Sequence, residues 1–210
     1  MNEPDSSARA RLNELLRDAG QVPLDPEKSR RFEAYLSLIL RWNSRTSLTS
    51  VRDVDGILTR HFIESIACAR ALPAGISNLL DFGSGAGLPG IPIALCRPEI
   101  AVTLSESQGK KAAFLQEAVR VLGIAVQVHA GRAETLRPEF DCVVLRAVDR
   151  MAEAVAAAAG LTKPRGWLAL MTGTKQLAEL KGAAGVDYSW KEPETLPFSA
   201  ERILALGMRR

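Results

Sequence analysis

No stretch of this 210-residue chain approaches the roughly 18–20 consecutive apolar residues that cross a bilayer, so no segment reads as a transmembrane helix. The first residues, MNEPDSSARARLNELL, are charged and lack the apolar core of a signal peptide, which makes a cytoplasmic location the expectation. Cysteine is scarce: Cys68, Cys96 and Cys142 stand far apart with no C-x-x-C pair. Neither a zinc site nor a disulfide framework follows from that spacing; buried free thiols in a reducing compartment do, and no metal site is expected. Charge of one sign is also short. A net charge of +3 with a pI near 8.9 permits a nucleic-acid partner, but only through a local patch. No internal repeat or low-complexity tract stands out. What is present is material for a core: 47% hydrophobic and 24% charged residues, the balance of a globular protein with one main domain.

The first third reads as helices. Ser6 or Ser7 can cap a segment with Leu12, Leu15 and Leu16 on one face, closed by Gly20. Asp25-Pro26-Glu27 supplies a second N-cap, a proline at the first helical position and an acidic first turn. The helix it opens carries Phe32, Tyr35, Leu36, Ile39 and Leu40 and ends near Trp42-Asn43. A third helix is predicted over about 53–72. After Pro73-Ala74-Gly75 the texture changes to short β-rich runs alternating with helical ones. Strands are predicted at 78–82, 101–105, 125–129, 140–145, 166–171, 186–190 and 202–207. Helix-length spacers between the first five predict right-handed crossovers and an α/β, mostly parallel, doubly wound Rossmann-like sheet. The last two strands lie close together and predict an antiparallel hairpin at the sheet end. Residues 1–73 then form a helical extension to a main domain of residues 74–210.

Between the first strand and its helix lies Asp81-Phe-Gly83-Ser-Gly85-Ala-Gly87-Leu88-Pro-Gly-Ile-Pro. Glycines at alternate positions let the backbone turn sharply and let a ligand approach it closely. A phosphate-binding loop would need G-x-x-x-x-G-K-[ST], which is absent. A dinucleotide turn would need G-x-G-x-x-G, and its third glycine is replaced here by Leu88. A ligand without phosphate, such as S-adenosylmethionine, fits the G-x-G-x-G pattern better. Glu106 follows the second strand, where a carboxylate can accept both ribose hydroxyls of an adenosine. NAD and S-adenosylmethionine would both use it, so a nicotinamide-dependent oxidoreductase stays open at this point. Ala133 and Glu134, after the third strand, stand where a backbone amide and a short side chain could hold adenine.

These residues resemble the ribosomal RNA small-subunit methyltransferase G family, formerly glucose-inhibited division protein B. The resemblance runs from about Tyr35 to the C-terminus. It rests on Arg41-Trp42-Asn43 with Leu48-Thr49-Ser50-Val51-Arg52, on Arg60-His61-x-x-Glu64-Ser65, and on the glycine turn with Leu88-Pro89-Gly90-Ile91-Pro92. Arg97-Pro98-Glu99, Gly109-Lys110-Lys111 with Phe114-Leu115, and Phe140-Asp141 leading to Arg146-Ala147 extend it. The resemblance implies a class I fold, S-adenosyl-L-methionine as cofactor and methylation of guanine N7 in 16S ribosomal RNA of the small subunit. It implies cofactor contacts at Gly83, Leu88, Ala133, Glu134 and Arg146, to which the reading of the turn and second strand adds Asp81, Gly85, Gly87 and Glu106, and it makes Arg146 the candidate at the reacting edge. The chain departs from the family pattern at Ser47, Leu145 and Thr172-Gly173, positions that bear on substrate contacts more than on the cofactor.

Guanine N7 carries a lone pair and no proton, so methylating it demands alignment rather than a base. The sequence has no [DNS]-P-P-[YFW] motif for exocyclic amines and no evident cysteine nucleophile. Arg41, Arg45, Arg52 and Arg60 with His61 precede the sheet, and Lys175 follows the fifth strand; these are the RNA-binding candidates. Trp42 reads as a core anchor before a stacking platform, and His61 as a hydrogen-bonded structural histidine before a catalyst. A methyltransferase acting on another RNA or on a small molecule, and a non-catalytic RNA-binding protein of the same fold, are the remaining alternatives. The expected partner is 16S RNA or the small subunit, with no membrane and no obligate protein partner.

Overall fold

The computed structural model describes residues 5–137 and 139–210, with side chains from residue 8 onward. Helix α1 (Asp5–Asp18) begins ahead of the predicted cap, and the Ser6 and Ser7 side chains lie outside the described set. Its end follows the sequence: Gly20 adopts φ 68° and the Gln21 amide returns to the Leu16 carbonyl at 2.8 Å. Helix α2 (Pro26–Asn43) starts as predicted, with the Asp25 carboxylate accepting the Lys28 amide at 2.8 Å and proline in the first turn.

The third predicted helix is not uniform. A short α3 (Val54–Gly56), capped by Asp53, runs into a π-helix over Ile57–Ile63 and then into α4 (Glu64–Ala71). The wider π turn keeps Ile57, Leu58, Phe62 and Ile63 in the core while carrying Arg60 and His61 past the end of the sheet. Such segments recur at functional sites because they break the 3.6-residue phase of the flanking helix.

The sheet comprises β1 (Asn78–Phe82), β2 (Ala101–Ser105), β3 (Val126–His129), β4 (Phe140–Arg146), β5 (Thr162–Gly173), β6 (Tyr188–Trp190), β7 (Glu194–Thr195) and β8 (Arg202–Arg209). Its order is β3-β2-β1-β4-β5-β8-β6, with β7 pairing on β8. The first five strands are parallel, and β8 runs against β5, β6 and β7. The predicted hairpin is therefore corrected in one respect: the last strand is inserted between β5 and β6 rather than added outside β6. The reason lies in its side chains, since Ile203 to Leu206 are all buried and form a run that suits an inner strand.

Helices α5 (Gly90–Cys96) and α6 (Gly109–Leu122) join α1 to α4 on one face of the sheet, over Leu79, Leu104, Val144 and Ala169. Helices α7 (Met151–Leu161) and α8 (Leu177–Ala184) cover the other face, over Leu80, Val143, Leu145 and Leu168. Neighbours such as Leu79 and Leu80 part to opposite cores, as the two-residue strand period requires. Leu145 points fully into the second core, so that departure from the family pattern is a packing feature. The chain reverses direction across the sheet between β1 and β4. That switch opens a crevice at their carboxyl ends, where open α/β sheets bind ligands.

Candidate active site

The turn leaving β1 is shaped from below. Asp81 is 1% exposed, and its Oδ2 accepts the Gly90 amide at 3.0 Å, which fastens the start of α5 under the turn. Burial pushes its carboxyl up to about 7. Asp81 and Gly87 support the turn without lining the crevice: a Cβ on Gly87, at φ 82°, would lie 2.5 Å from Ile91 Cδ1. Gly85 differs. It sits at φ 55°, nothing approaches the place of its missing Cβ closer than 4.0 Å, and its amide donates to Glu106 Oε2 at 2.9 Å. Glu106 Oε1 accepts the Gln108 amide at 2.7 Å. Two backbone amides thus aim one carboxylate, and each oxygen keeps a further lone pair for a ligand.

A cavity of about 440 Å³ runs along this turn, lined by Gly83, Gly85, Leu88, Glu106, Lys111 and Arg146 among others. A second, of about 430 Å³, continues it toward β3 past Gly131, Ala133 and Glu134. Gly83, Ser107, Val148 and Asp149 border both, so the two form one trough along the carboxyl ends of β1 to β3. The residues predicted after the first, second and third strands are brought to a single edge.

Arg146, the last residue of β4, closes the trough on its other side. Its Nη2 donates to the Arg60 carbonyl, to His61 Nδ1 at 3.1 Å and to Glu64 Oε2 at 3.2 Å, and its Nη1 reaches Ser65 Oγ. The Arg60-His61-x-x-Glu64-Ser65 run is thus a cradle for one guanidinium. Glu64, 1% exposed, also accepts from Arg202 Nε at 2.6 Å. Burial and the facing Arg146 hold His61 down at about 4, so its ring is neutral. With Nδ1 accepting from Arg146, the ring proton sits on Nε2 and is given to Thr49 Oγ1 at 2.6 Å. Asn43 Oδ1 accepts the Leu48 and Thr49 amides and so fixes the loop that roofs the trough. Beyond Arg146, Ala147 and Arg150 adopt φ 50° and 49°, a left-handed backbone that residues with side chains hold only where their surroundings impose it.

The other basic candidates are not gathered here. Arg41 pairs with Glu117 of α6, which also accepts Trp42 Nε1 at 2.8 Å. Trp42 packs its edge against Phe114 at 5.6 Å, anchoring α2 to α6. Arg45, Arg52 and Lys175 are exposed and lie off the trough, whereas Arg60 and His61 line it. Sequence reasoning passed over Thr49, Lys111, Glu64 and Arg202 as site residues. Glu64 left one signal, an acid inside the apolar run His61-Phe-Ile-Glu-Ser-Ile. Among the described residues no cluster of His, Cys, Asp or Glu is suited to a metal ion, and no helix is long and apolar enough to cross a membrane.

A seven-strand order with one reversed inner strand and a trough at the β1–β4 switch defines the methyltransferase fold. Solved structures agree. A SAM-dependent methyltransferase from Aquifex aeolicus superposes with a TM-score of 0.59 at 15% identity, over 74% of this chain and 93% of that one. The mitomycin 7-O-methyltransferase MmcR gives 0.61 at 14% identity, over 100% and 74%. The sequence narrows the class. Residues 28–201 match the family model described as GidB, rRNA small subunit methyltransferase G. The chain is 40% identical over 185 residues to ribosomal RNA small subunit methyltransferase G of Halorhodospira halophila, covering 86% of this chain and 85% of that one. To the protein of the same name from Xanthomonas campestris pv. campestris it is 38% identical over 177 residues, covering 83% and 81%. The chain belongs to the rRNA small subunit methyltransferase G family, and the oxidoreductase alternative falls away.

Proposed function

We propose that this protein methylates N7 of a guanine in 16S ribosomal RNA, using S-adenosylmethionine, in the cytoplasm. The observation that carries the reading is family membership across residues 28–201. The geometry fits the cofactor. Glu106, already aimed by two amides, has lone pairs for a pair of ribose hydroxyls. Gly83 and Gly85 leave bare backbone for the amino-acid end, with Lys111 and Arg146 on the same trough as cations for its carboxylate. Ala133 and Glu134 would border the adenine. Bound there, the cofactor supplies an electrophilic methyl group, whose transfer to the N7 lone pair leaves the sulfur with the bond's electron pair and moves no proton.

This chain's residues then have only to position the reactants. His61 has both ring nitrogens engaged and is held neutral, which suits a strut rather than a base. Arg60 at the trough mouth, with the exposed Arg45, Arg52 and Lys175, would meet RNA phosphates. Within residues 1–73, the described helices from Asp5 onward act as an extension that roofs the cofactor site of the 74–210 unit. A base presented on a folded small subunit explains how a chain of only +3 net charge finds its target.

The test is to map N7-methylguanine by chemical cleavage in 16S RNA from cells with and without this protein. In parallel, tritium transfer from labelled cofactor to small subunits and to naked RNA is measured. One methylated guanine lost with the protein, and restored by it in vitro, is the expected outcome. An unchanged cleavage pattern with no transfer to either RNA form overturns the proposal.

A further inference from the structure

Arg146 is a partition. On its far side from the glycine turn lies another cavity of about 320 Å³, at the carboxyl ends of β4 and β5, sharing Arg60, Arg146, Ala147 and Val148 with the trough. Its walls include Met151, Met171 and Leu196, the last two 4% exposed, which offer apolar faces to a flat ring. Besides the shared Arg60 and Arg146, its polar side chains are Glu64, Thr172, Gln176 and Arg202. Each acceptor among them already holds one donor. Glu64 serves Arg146 with one oxygen and Arg202 with the other. The Thr172 hydroxyl donates to Gln176 Oε1 at 3.0 Å, which turns the amide so that Nε2 is left as donor. Arg202 reaches Glu64 through Nε, and its two terminal nitrogens have no hydrogen-bond partner among the described residues. The pocket is therefore apolar on its sides, and the polar groups it leaves without a partner are donors.

We propose that this pocket receives the target guanine, unstacked from the RNA, and that Gln176 determines specificity by donating to its O6. The inference rests on the methyltransferase reading above. Guanine offers an acceptor, O6, beside N7, whereas adenine offers an amino group at that place. A pocket of donors accepts the first and sets N–H against N–H for the second. The common arginine fork on O6 and N7 together would occupy the lone pair that must react, whereas one amide N–H on O6 leaves it available. Extrusion of the base is what lets the ring reach a pocket set behind the sheet edge.

The test uses small subunits carrying guanosine, inosine or 2-aminopurine nucleoside at the methylated position, with the intact protein and its Gln176→Ala and Gln176→Glu variants. Inosine keeps the 6-oxo group and 2-aminopurine lacks it. The wild type should methylate guanosine and inosine alike and 2-aminopurine poorly. Gln176→Ala should lose about ten-fold in kcat/KM on the two 6-oxo bases and nothing on 2-aminopurine, and Gln176→Glu should lose more. Cofactor affinity by calorimetry should match the wild type in both variants. An unchanged ratio of guanosine to 2-aminopurine in Gln176→Ala overturns the inference while leaving methylation itself intact. So does a loss of cofactor affinity that accounts for the loss of rate. Wild-type protein that transfers no methyl group to guanosine subunits overturns the methyltransferase reading as well.

Discussion

The hydroxyl of Tyr35, in α2, donates to the carbonyl of Ala86 in the glycine turn, 51 residues further along the chain. Tyr35 is fully buried and stacked on Phe62 at 5.2 Å, and burial raises its phenol well above 10, so it stays a donor at any working pH. The helical extension thereby holds the one carbonyl between Gly85 and Gly87.

Tyr35→Phe should loosen that turn without emptying the core. Cofactor KM and Kd should rise about five-fold while kcat and the KM for RNA hold, with about 1 kcal/mol lost in unfolding free energy. Tyr188→Phe is the control, because it too removes a hydroxyl directed at a backbone carbonyl, that of Ala159 at 3.4 Å, but away from the trough. Equal effects of both variants on cofactor KM would remove the special role of Tyr35.

Gly85→Asp tests the bare backbone of the turn. Its φ of 55° is one that aspartate tolerates, and the added Cβ meets nothing closer than 4.0 Å, so the variant should fold. Its carboxylate would stand beside Glu106 and in the trough. A melting temperature within a few degrees of wild type, with cofactor binding abolished in calorimetry, is expected.

Glu106→Ala should separate two contributions. Losing two hydrogen bonds to a charged acceptor costs about 1.5–3 kcal/mol each, so cofactor affinity should fall by roughly 100- to 10,000-fold. The Gly85 and Gln108 amides, at the trough surface, can turn to water, and global stability should drop by no more than about 2 kcal/mol. Denaturant titration and calorimetry on one sample measure both.

His61 makes stability depend on acid in a defined window. Its native pKa, about 4, lies below the ordinary 6.5, so the unfolded chain binds the proton more readily between those values. The stability supplied by neutral His61 is complete above pH 6.5 and is lost as pH falls toward 4, by up to about 3 kcal/mol. Asp81 runs the opposite way. Its native value, about 7, lies above the ordinary 3.8, so its contribution is complete below pH 3.8 and declines as pH rises toward 7. The two slopes oppose one another between pH 4 and 6.5, and the wild-type curve should be nearly flat there. His61→Gln unmasks Asp81: its unfolding free energy should fall steadily from pH 4 to 6.5. A His61→Gln curve as flat as wild type would refute the assignment.

Local signals were legible in the sequence because their causes are local. Asp25-Pro26 announces the start of α2, Gly20 the end of α1, and short β-rich runs, the first with glycines behind it, mark β1 and β2 to the residue. The placement of Glu106 against Gly85 was also within reach, since adjacent parallel strands bring their carboxyl ends side by side. Other features carry no local mark. The π turn at Ile57–Ile63 keeps the apolar pattern of an ordinary helix, and the apolar run of β8 suits an inner strand without naming β5 and β6 as its neighbours.

By itself, then, the amino-acid order determined the α/β class, the bare turn after β1 and the acid after β2, because each depends on φ preference, capping or period within a few residues. Folding alone decided that Arg146 would be held by Glu64, 82 residues back, that Glu64 would be shared with Arg202, 138 residues on, and that Tyr35 would secure the turn. Those pairings are made by packing two layers of helices on a sheet. Hydrogen bonds between side chains so far apart exist only once hydrophobic burial has covered the cost of bringing the segments together.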